Sequence, residues 1–330
     1  MDKKYKIVVT DFIADSLAIE KDILREVGDV IALDAYSENE LEGRIEDADA
    51  IIMYHSLAMS SKTISNLKQC KLIVRAGVGT DNIDHAHART LDIPVSNVPD
   101  YGSEDVADSA IGMMLALTRG IAFLNSRLRE GVGDWSYTQA QPLPRLRNRN
   151  IGIVGLGRIG TAAALRAKTL GMNVIFYDPY KPDGFDKALG IGRAEELQSL
   201  LEQVNVLSLH CPLTAETHHL VNENTLKFLP QGSYLVNTAR GAVVDTSAIP
   251  DAIVSGRLAG VAFDVLEQEP PVNDPVVEAW KDPKHPAYHK VIINPHSAFY
   301  SEEGLHEIRV KSAQACLRAL QGEEVRNVVN

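Results

Sequence analysis

Three segments in the second half of the chain carry side chains suited to the reduction of a 2-oxo acid. One segment holds Arg240, the next holds Glu267 and Glu269, and the last holds His296. A hydride that arrives at a carbonyl carbon needs a proton partner, which a histidine can supply, and a guanidinium suits the carboxylate of the acid. Each segment follows a predicted strand, where open α/β sheets bind their ligands. These residue types at these places therefore indicate oxidoreductase chemistry.

A glycine-rich motif lies before these segments. Residues Ile151–Gly160 form an apolar strand, a G-x-G-x-x-G turn and the start of an alanine-rich helix. In such a motif Gly155 permits the tight turn, Gly157 lets the backbone approach a pyrophosphate, and Gly160 lets the helix lie close to the strand. The helix N-terminus offers unpaired N–H groups to the phosphates. The motif indicates a dinucleotide site, although a plain glycine-rich turn would carry the same glycines.

Asp178 ends the next predicted strand, about 20 residues beyond the last glycine of the motif. A carboxylate at this place can accept hydrogen bonds from both ribose hydroxyls and would repel a 2′-phosphate. The residue therefore favours NAD(H) over NADP(H), with the nearby cation Lys181 as the feature that argues the other way. The alternative is a turn residue that ends a strand before Pro179.

The elements that must hold these residues alternate between strand and helix. Before the glycine motif, predicted strands and helices follow one another as Lys6–Thr10, Ser16–Val27, Val30–Leu33, Glu38–Ile45, Ala50–Met53, Ser61–Leu67, Leu72–Ala76 and Ile83–Thr90. After the motif they continue as Arg158–Leu170, Asn173–Tyr177, Ala194–Gln203, Val206–Leu209, Glu223–Phe228, Tyr234–Asn237, Ser247–Ser255, Gly260–Phe263 and Val291–Ile293. This alternation predicts two doubly wound parallel sheets with helices on their faces.

Two helical patterns stand outside that alternation. Residues 103–130 have an apolar stripe at helical spacing, which predicts one long helix or two nearly contiguous ones. A stretch rich in glycine and proline, 131–144, follows it. The final predicted helix, Ser301–Gln321, has no strand after it, so we expect it to pack back on the first domain.

Composition limits the class of protein. The chain has 330 residues and a formal net charge of −11, which disfavours a general nucleic-acid surface. No apolar run approaches the roughly 20 residues needed to span a bilayer, and the N-terminus lacks the pattern of a secretory signal. Three widely spaced cysteines suggest neither disulfides nor a zinc knuckle. We expect a cytoplasmic protein without nucleic-acid, membrane or metal partners.

Taken together, these motifs resemble those of the D-isomer-specific 2-hydroxyacid dehydrogenases over nearly the whole chain. The segment Arg75–Asp84, RAGVGTDNID, is similar to the substrate-loop motif of that family. The resemblance implies a Rossmann NAD-binding domain, 118–298, inserted into a flavodoxin-like substrate domain made of 1–117 and 299–330. It also implies an active site in the cleft between the domains and a homodimer formed through the NAD domain.

Within the family, several segments look most like the C-terminal binding protein branch and its bacterial relatives. They include Met53–His55, Leu209–Cys211, His218–Leu220 and Arg326–Asn330. Phe299 stands where those corepressors have a pocket tryptophan. This departure changes the shape of the pocket, so the resemblance does not fix the substrate.

The resemblance also implies a role for each site residue. Arg240 binds the substrate carboxylate and polarises its carbonyl group, His296 exchanges the proton, and Glu269 fixes the imidazole and raises its pKa. Glu269 is preferred to Glu267 because the pair Glu-Pro matches the family motif. The implied cofactor-binding residues are Gly155, Gly157, Arg158, Ile159, Gly160, Asp178, His210, Cys211, Pro212, Thr217, Thr238, Ala239, Arg240, Asp264 and His296. The implied substrate-binding residues are Tyr54, Arg75, Gly77, Val78, Arg240 and Phe299.

Other functions are weighed against this one. An NAD-sensing interaction module like the corepressors would keep the same trio, but the chain ends at Asn330 without the long tail expected of them. A formate-type dehydrogenase would have glutamine in place of Glu269, and the longer phosphoglycerate dehydrogenases have a further regulatory domain. Glyoxylate, hydroxypyruvate, and aliphatic or aromatic 2-oxo acids stay open as substrates.

Overall fold

A computed structural model describes residues 4–330 of the chain. These residues form two compact units, which are described separately. Unit 1 comprises the chain up to Gly102 together with Ser301–Asn330, and unit 2 comprises Ser103–Tyr300.

Unit 1 is a five-stranded parallel sheet with helices on its faces. Its strands are β1 (Tyr5–Val9), β2 (Gly28–Ala32), β3 (Ala50–Met53), β4 (Leu72–Arg75) and β5 (Val95–Asn97), and its helices are α1 (Ala18–Leu24), α2 (Ser61–Ser65), α3 (His85–Thr90) and α12 (Glu302–Gln321). The strand order β2-β1-β3-β4-β5 is the flavodoxin-like order. Both faces of the sheet are therefore covered, and its strands are apolar nearly throughout.

The last helix of the chain belongs to the core of unit 1. Buried side chains of α12, among them Ile308 and Cys316, pack with Ile7 and Val74 of the sheet. On the same helix the guanidinium of Arg309 donates to both carboxylate oxygens of Glu20 at 2.7 Å, and to Asp15 at 2.7 and 3.0 Å. Glu20 is 1% exposed and Arg309 is 6% exposed, so a buried ion pair joins α12 to α1.

Unit 2 contains a seven-stranded parallel sheet. Its strands are β6 (Asn150–Val154), β7 (Asn173–Tyr177), β8 (Gly192–Arg193), β9 (Val206–Leu209), β10 (Ser233–Asn237), β11 (Leu258–Phe263) and β12 (Val291–Ile293). Its helices are α4 (Ser103–Thr118), α5 (Ile121–Arg129), α6 (Arg158–Thr169), α7 (Phe185–Leu189), α8 (Leu197–Leu201), α9 (Glu223–Leu226), α10 (Ile249–Val254) and α11 (Pro275–Lys281). The order β12-β11-β10-β9-β6-β7-β8 reverses direction between β6 and β9, as in a Rossmann fold.

The boundary between the units differs from the one predicted. The prediction placed residues 103–117 with the first domain, whereas α4 lies in unit 2. The reason is its buried face, where Ala107, Ala110 and Met114 share an apolar core with Ile151 and Ile153 of β6. The second crossing also lies slightly later than predicted, after Tyr300 instead of after residue 298.

Local differences from the predicted elements have backbone causes. The stripe over 103–130 forms two helices because Gly120, with φ +65°, ends the first one. The predicted helix at 38–45 is a short 3₁₀ helix, Glu38–Leu41. Within residues 4–330 no single helix could cross a bilayer by length and apolarity, and the pair α4 and α5, which could together, is bent by 63°.

Candidate active site

The turn between β6 and α6 has the geometry of a dinucleotide site. Gly155 has φ +87°, and a Cβ atom there would lie 2.7 Å from the backbone nitrogen of Cys211. A Cβ atom on Gly160 would lie 2.0 Å from the carbonyl oxygen of Gly155. Gly157, the residue before α6, instead faces open space on its Cβ side. Two glycines therefore close the turn against the sheet, and the third leaves the helix N-terminus accessible to a phosphate.

Asp178, directly after β7, holds the same turn in place. Its Oδ2 atom accepts a hydrogen bond from the backbone of Leu156 at 2.8 Å, and its Oδ1 atom accepts one from the backbone of Tyr180 at 3.0 Å. A carboxylate has about four acceptor positions, so both oxygens can still accept hydrogen bonds from a ribose. The residue thus combines a structural contact with the predicted position for the coenzyme.

Two buried polar atoms at neighbouring strand ends have no hydrogen-bond partner among the described residues. They are Nδ1 of His210, after β9, and Oγ1 of Thr238, after β10. Burial also lowers the pKa of His210 to about 4, so its imidazole is neutral at pH 7, while its Nε2 atom lies 2.9 Å from the hydroxyl of Ser208. Unsatisfied buried groups are costly in an isolated protein. Their presence beside the glycine turn fits a bound NAD that would supply the missing partners.

The other predicted cofactor residues lie at the same strand ends. Thr217 donates its hydroxyl hydrogen to the carbonyl oxygen of Pro212 at 2.6 Å, which closes the loop after β9. Arg158 and Ile159 begin α6, and the backbone nitrogen of Ala239 donates to Asn237 at 3.0 Å. Burial raises the pKa of Cys211 to about 11, so this residue presents a thiol rather than a thiolate.

The predicted acid–base pair lies on two loops of unit 2. Nδ1 of His296, after β12, lies 2.7 Å from Oε2 of Glu269, in the loop after β11. The other carboxylate oxygen of Glu269 accepts a hydrogen bond from the backbone of Leu266 at 2.8 Å, so the carboxylate is fixed within its own loop. The contact between Nδ1 of His296 and Glu269 orients the imidazole. In the predicted mechanism, proton exchange with a substrate would then fall to the Nε2 atom.

The backbone of His296 is held in an unusual conformation. Its φ is +51°, a left-handed value that is strained for a residue other than glycine. Asp264, at the end of β11 and 2% exposed, accounts for it. The carbonyl of Asp264 accepts the N–H of His296 at 2.7 Å, and its carboxylate accepts those of Ser297 and Ala298 at 2.9 and 3.0 Å.

Asp264 is therefore placed by the structure as the residue that fixes the histidine loop, which sequence reasoning missed. The prediction had counted it among the cofactor-binding residues. Burial raises the pKa of its carboxyl group above the ordinary value, while the two backbone hydrogen bonds act in the opposite direction. The sequence signal was available, since a buried aspartate at a strand end commonly accepts neighbouring backbone N–H groups.

Arg240 and Phe299 complete the set in unit 2. Arg240 follows β10, is half-buried, and donates from Nη1 to the carbonyl oxygen of Ala239 at 2.8 Å. The ring of Phe299 meets the imidazole of His296 edge to face, with centroids 6.2 Å apart. Glu267, the rival to Glu269, is turned to His219 instead, at 2.9 Å.

The predicted substrate residues of unit 1 lie at the carboxyl ends of β3 and β4. Tyr54 is 2% exposed, and its hydroxyl has no hydrogen-bond partner among residues 4–330. Arg75 is also buried and donates to the carbonyl oxygen of Ala76 at 2.9 Å. Gly77 gives it room, because a Cβ atom there would lie 1.5 Å from Nη1 of Arg75. Val78 is partly exposed, at 38%.

Sequence reasoning missed two residues of this region. Asp11, after β1, accepts the backbone N–H groups of Tyr54 and Ser56, both at 2.8 Å. Phe12 has φ +65° and places its ring 5.3 Å from that of Tyr54 and 4.8 Å from that of His55. The loop after β3 is thus fixed by a carboxylate and covered by an aromatic ring.

Comparison with known proteins places these features in one family. The family model described as "D-isomer specific 2-hydroxyacid dehydrogenase, NAD binding domain" matches residues 111–298. The chain is 34% identical over 325 residues to a D-3-phosphoglycerate dehydrogenase of Methanocaldococcus jannaschii, a match that covers 98% of the chain and 59% of that protein. It is 33% identical over 313 residues to C-terminal-binding protein 1 of Caenorhabditis elegans, covering 92% of the chain and 42% of that protein. The chain thus spans about half the length of these relatives.

Solved structures agree with the family match. A D-lactate dehydrogenase from Aquifex aeolicus, determined in complex with NAD and lactic acid, superposes with a TM-score of 0.86 at 27% identity. The match covers 96% of each chain. The two parallel sheets therefore match those of the D-lactate dehydrogenase, whose structure contains NAD and lactic acid.

Proposed function

Because the chain belongs to the D-isomer specific 2-hydroxyacid dehydrogenase family, we propose that it interconverts a D-2-hydroxy acid and a 2-oxo acid with NAD(H). The observation that carries the proposal is the 2.7 Å contact between Nδ1 of His296 and Oε2 of Glu269. A histidine oriented in this way by a carboxylate is the arrangement that general acid–base catalysis requires.

The chain's own residues would divide the work as follows. His296 donates a proton from Nε2 to the carbonyl oxygen during reduction and removes it during oxidation. The carboxylate of Glu269 contacts Nδ1 and so fixes the orientation of the imidazole. Arg240 binds the substrate carboxylate through its guanidinium, and Tyr54, Arg75, Gly77, Val78 and Phe299 are the proposed substrate-binding residues.

NAD, when bound, donates or accepts the hydride. The proposed contacts are the α6 N-terminus for the pyrophosphate, Asp178 for the ribose, and the unsatisfied groups of His210 and Thr238 for the remaining polar atoms. The backbone geometry around Gly155 and Gly160 supports this assignment because it leaves only the side of Gly157 open.

The test is an NADH-oxidation screen over a panel of 2-oxo acids. The panel should include glyoxylate, pyruvate, hydroxypyruvate, 3-phosphohydroxypyruvate, and branched and aromatic 2-oxo acids, since relatives act on differing members of this class. We expect turnover with at least one of them and, for every acid whose reduction creates a stereocentre, production of the D-isomer, measured by chiral chromatography of the product. Formation of the L-isomer would contradict the proposed stereochemistry.

A second candidate function is an NAD-sensing interaction module, favoured by the 33% identity to C-terminal-binding protein 1. The acid–base pair does not separate the two functions. Absence of turnover over the whole panel, with tight NADH binding retained in fluorescence titration, would support the sensing function over the enzyme. The predicted homodimer and cytoplasmic location belong to either proposal and are tested by light scattering and by fractionation.

A further inference from the structure

Two adjacent histidines and a distant glutamate bring three donor atoms together on the surface of unit 2. Nε2 of His219 lies 2.9 Å from one carboxylate oxygen of Glu267, and Nε2 of His218 lies 3.9 Å from the other. One donor atom from each residue lies within 4.8 Å of the other two. The side chains are 51%, 34% and 45% exposed for His218, His219 and Glu267, so a solvent ion can reach them.

The backbone explains why two neighbouring imidazoles face the same way. In an extended chain, adjacent side chains project to opposite sides. His219 instead has φ +50°, a left-handed value, and the two rings are stacked with centroids 4.0 Å apart and planes inclined by 26°. Both Nε2 atoms are thereby directed at the same carboxylate.

Hydrogen bonds fix this conformation before any ligand arrives. The N–H of His218 donates to Thr214 at 2.9 Å, and that of His219 donates to Ala242 at 2.8 Å. The carbonyl of His219 accepts from the side chain of Asn222 at 2.7 Å. The two imidazoles are therefore carried by an ordered loop, and binding an ion would need only small rotations of these exposed rings.

We propose that His218, His219 and Glu267 form a surface site for a divalent transition-metal ion such as Zn²⁺. Zn²⁺ binds imidazole nitrogen and carboxylate oxygen at about 2.0–2.2 Å, which places donors of a tetrahedral site roughly 3.4 Å apart. The three donor atoms lie within 4.8 Å of one another, so small rotations of the exposed side chains can reach that spacing. Two imidazoles disfavour Mg²⁺ and Ca²⁺, which prefer oxygen ligands. The fourth position would hold water.

The site lies next to the catalytic loop in the chain. Glu267 is two residues before Glu269, whose carboxylate contacts His296. The metal site is nevertheless separate from the proposed chemistry, because none of its three residues belongs to the acid–base pair. It can therefore be tested without an assay of enzyme activity.

Other histidine pairs show what the sequence could not reveal. The spacings of His85 with His87 and of His285 with His289 suit a metal, yet Nε2 of His87 meets Ser65 at 2.7 Å and Nδ1 of His289 meets Ser126 at 2.8 Å. The prediction of no metal site overlooked His218 and His219 because their third donor, Glu267, is 48 residues away.

The experiment is isothermal titration of chelator-stripped, buffer-exchanged full-length protein with ZnCl₂. We expect one Zn²⁺ bound per chain, and Co²⁺ in its place should give the visible absorption of a four-coordinate site with nitrogen and oxygen ligands. Loss of a residue that merely orients a ligand typically weakens metal binding about 10–100-fold. His219→Ala and Glu267→Gln should therefore each weaken Zn²⁺ binding by at least about 10-fold.

The matched control is His306→Ala, which removes an exposed histidine on α12 in unit 1 and should leave the Zn²⁺ affinity unchanged. Thermal unfolding of each variant verifies that it is folded. If the wild-type protein binds no Zn²⁺, the proposal is overturned. The contact between His219 and Glu267 is then a hydrogen bond between side chains only. Equal binding by the wild type, His219→Ala and Glu267→Gln would also overturn it, since the ion would then lie elsewhere.

Discussion

The two units use the same device at their strand ends, but they place different chemistry on it. In unit 1 the buried carboxylate of Asp11 accepts two N–H groups from the loop after β3. In unit 2 the buried carboxylate of Asp264 accepts two N–H groups from the loop after β12. In each case an aspartate at one strand end fixes the loop that leaves the neighbouring strand.

The difference lies in what the fixed loop carries. The loop of unit 1 presents the aromatic and imidazole rings of Tyr54 and His55 beside Phe12. The loop of unit 2 presents His296 in a left-handed conformation, paired with Glu269. A common scaffold therefore supports the shape of a predicted substrate loop in one unit and the proposed proton transfer in the other, and variants can separate the two roles.

The largest effect is expected from removal of the proton donor. His296→Ala should lower kcat by about 10²–10⁴-fold, because general acid–base catalysis contributes about that much. NADH affinity, measured by fluorescence titration, should change little. His306→Ala is the control for loss of an exposed histidine. Unchanged turnover would remove His296 from the mechanism.

A paired substitution tests the two carboxylates directly. Asparagine keeps one acceptor oxygen and loses the other, so Asp264→Asn and Asp11→Asn should each lower the free energy of unfolding by about 1–3 kcal/mol. Only Asp264→Asn should lower kcat, by up to about 100-fold, because it releases the histidine loop.

Asp11→Asn should act mainly on KM, since its loop carries proposed substrate residues. Denaturant titration and steady-state kinetics measure the two quantities on the same samples. Equal kinetic losses in both variants would show that the two loops do not divide the work between shape and chemistry.

Asp178 is a third aspartate at a strand end. It holds the backbone of Leu156 in the glycine turn, and it is proposed to favour NAD(H) over NADP(H). Asp178→Ala should weaken NADH binding by about 10- to 150-fold, because a hydrogen bond to a charged group contributes about 1.5–3 kcal/mol. Asp178→Asn keeps an acceptor for Leu156 but loses the charge, so it should relax discrimination against NADPH with less loss of NADH affinity. A wild type that prefers NADPH would contradict the assigned role.

The smallest expected effect is on the pH dependence of stability. It again separates the units, because His210, a buried histidine with a lowered pKa, lies in unit 2. The pKa of His210 is lowered to about 4 in the folded chain, so the unfolded chain binds more protons as the pH falls from about 6.5 to about 4. Stability should fall over that range, by about 1 kcal/mol for each pH unit.

His210→Gln should reduce this pH dependence, whereas His306→Gln, at an exposed position, should not. The measurement is the free energy of unfolding by urea at several pH values. The same slope in the wild type and in His210→Gln would assign the effect to other groups.

The sequence predicted the fold class and the glycine turn because both are local patterns. Apolar runs separated by amphipathic stretches indicate parallel sheets, and the strands Ala50–Met53, Asn173–Tyr177 and Val206–Leu209 have the predicted bounds. Short elements escaped prediction. β8 has two residues and α7 has five, too few for either periodicity to be read.

What could not be predicted depends on contacts between distant residues. The assignment of α4 to unit 2 depends on which core its apolar stripe meets, and a stripe alone does not name its partner. The contact of Asp264 with Ser297 and Ala298, and that of Glu267 with His219, join residues 33 to 48 positions apart. The motif resemblance named Arg240, Glu269 and His296. It did not reveal that the carboxylate of Asp264 fixes the loop that carries His296.

The placement of α12 has a consequence for the order in which the chain becomes structured during its synthesis. Unit 2 is one continuous segment and can acquire its core as soon as Tyr300 has emerged. Unit 1 needs Ile308, Cys316 and the guanidinium that neutralises Glu20, all of which are made after unit 2. At about 5–20 residues per second, the apolar face that α12 covers waits roughly 10–40 seconds for its partner. The first part of the nascent chain, up to Gly102, is therefore completed after unit 2, and it is the part that chaperones would need to shield.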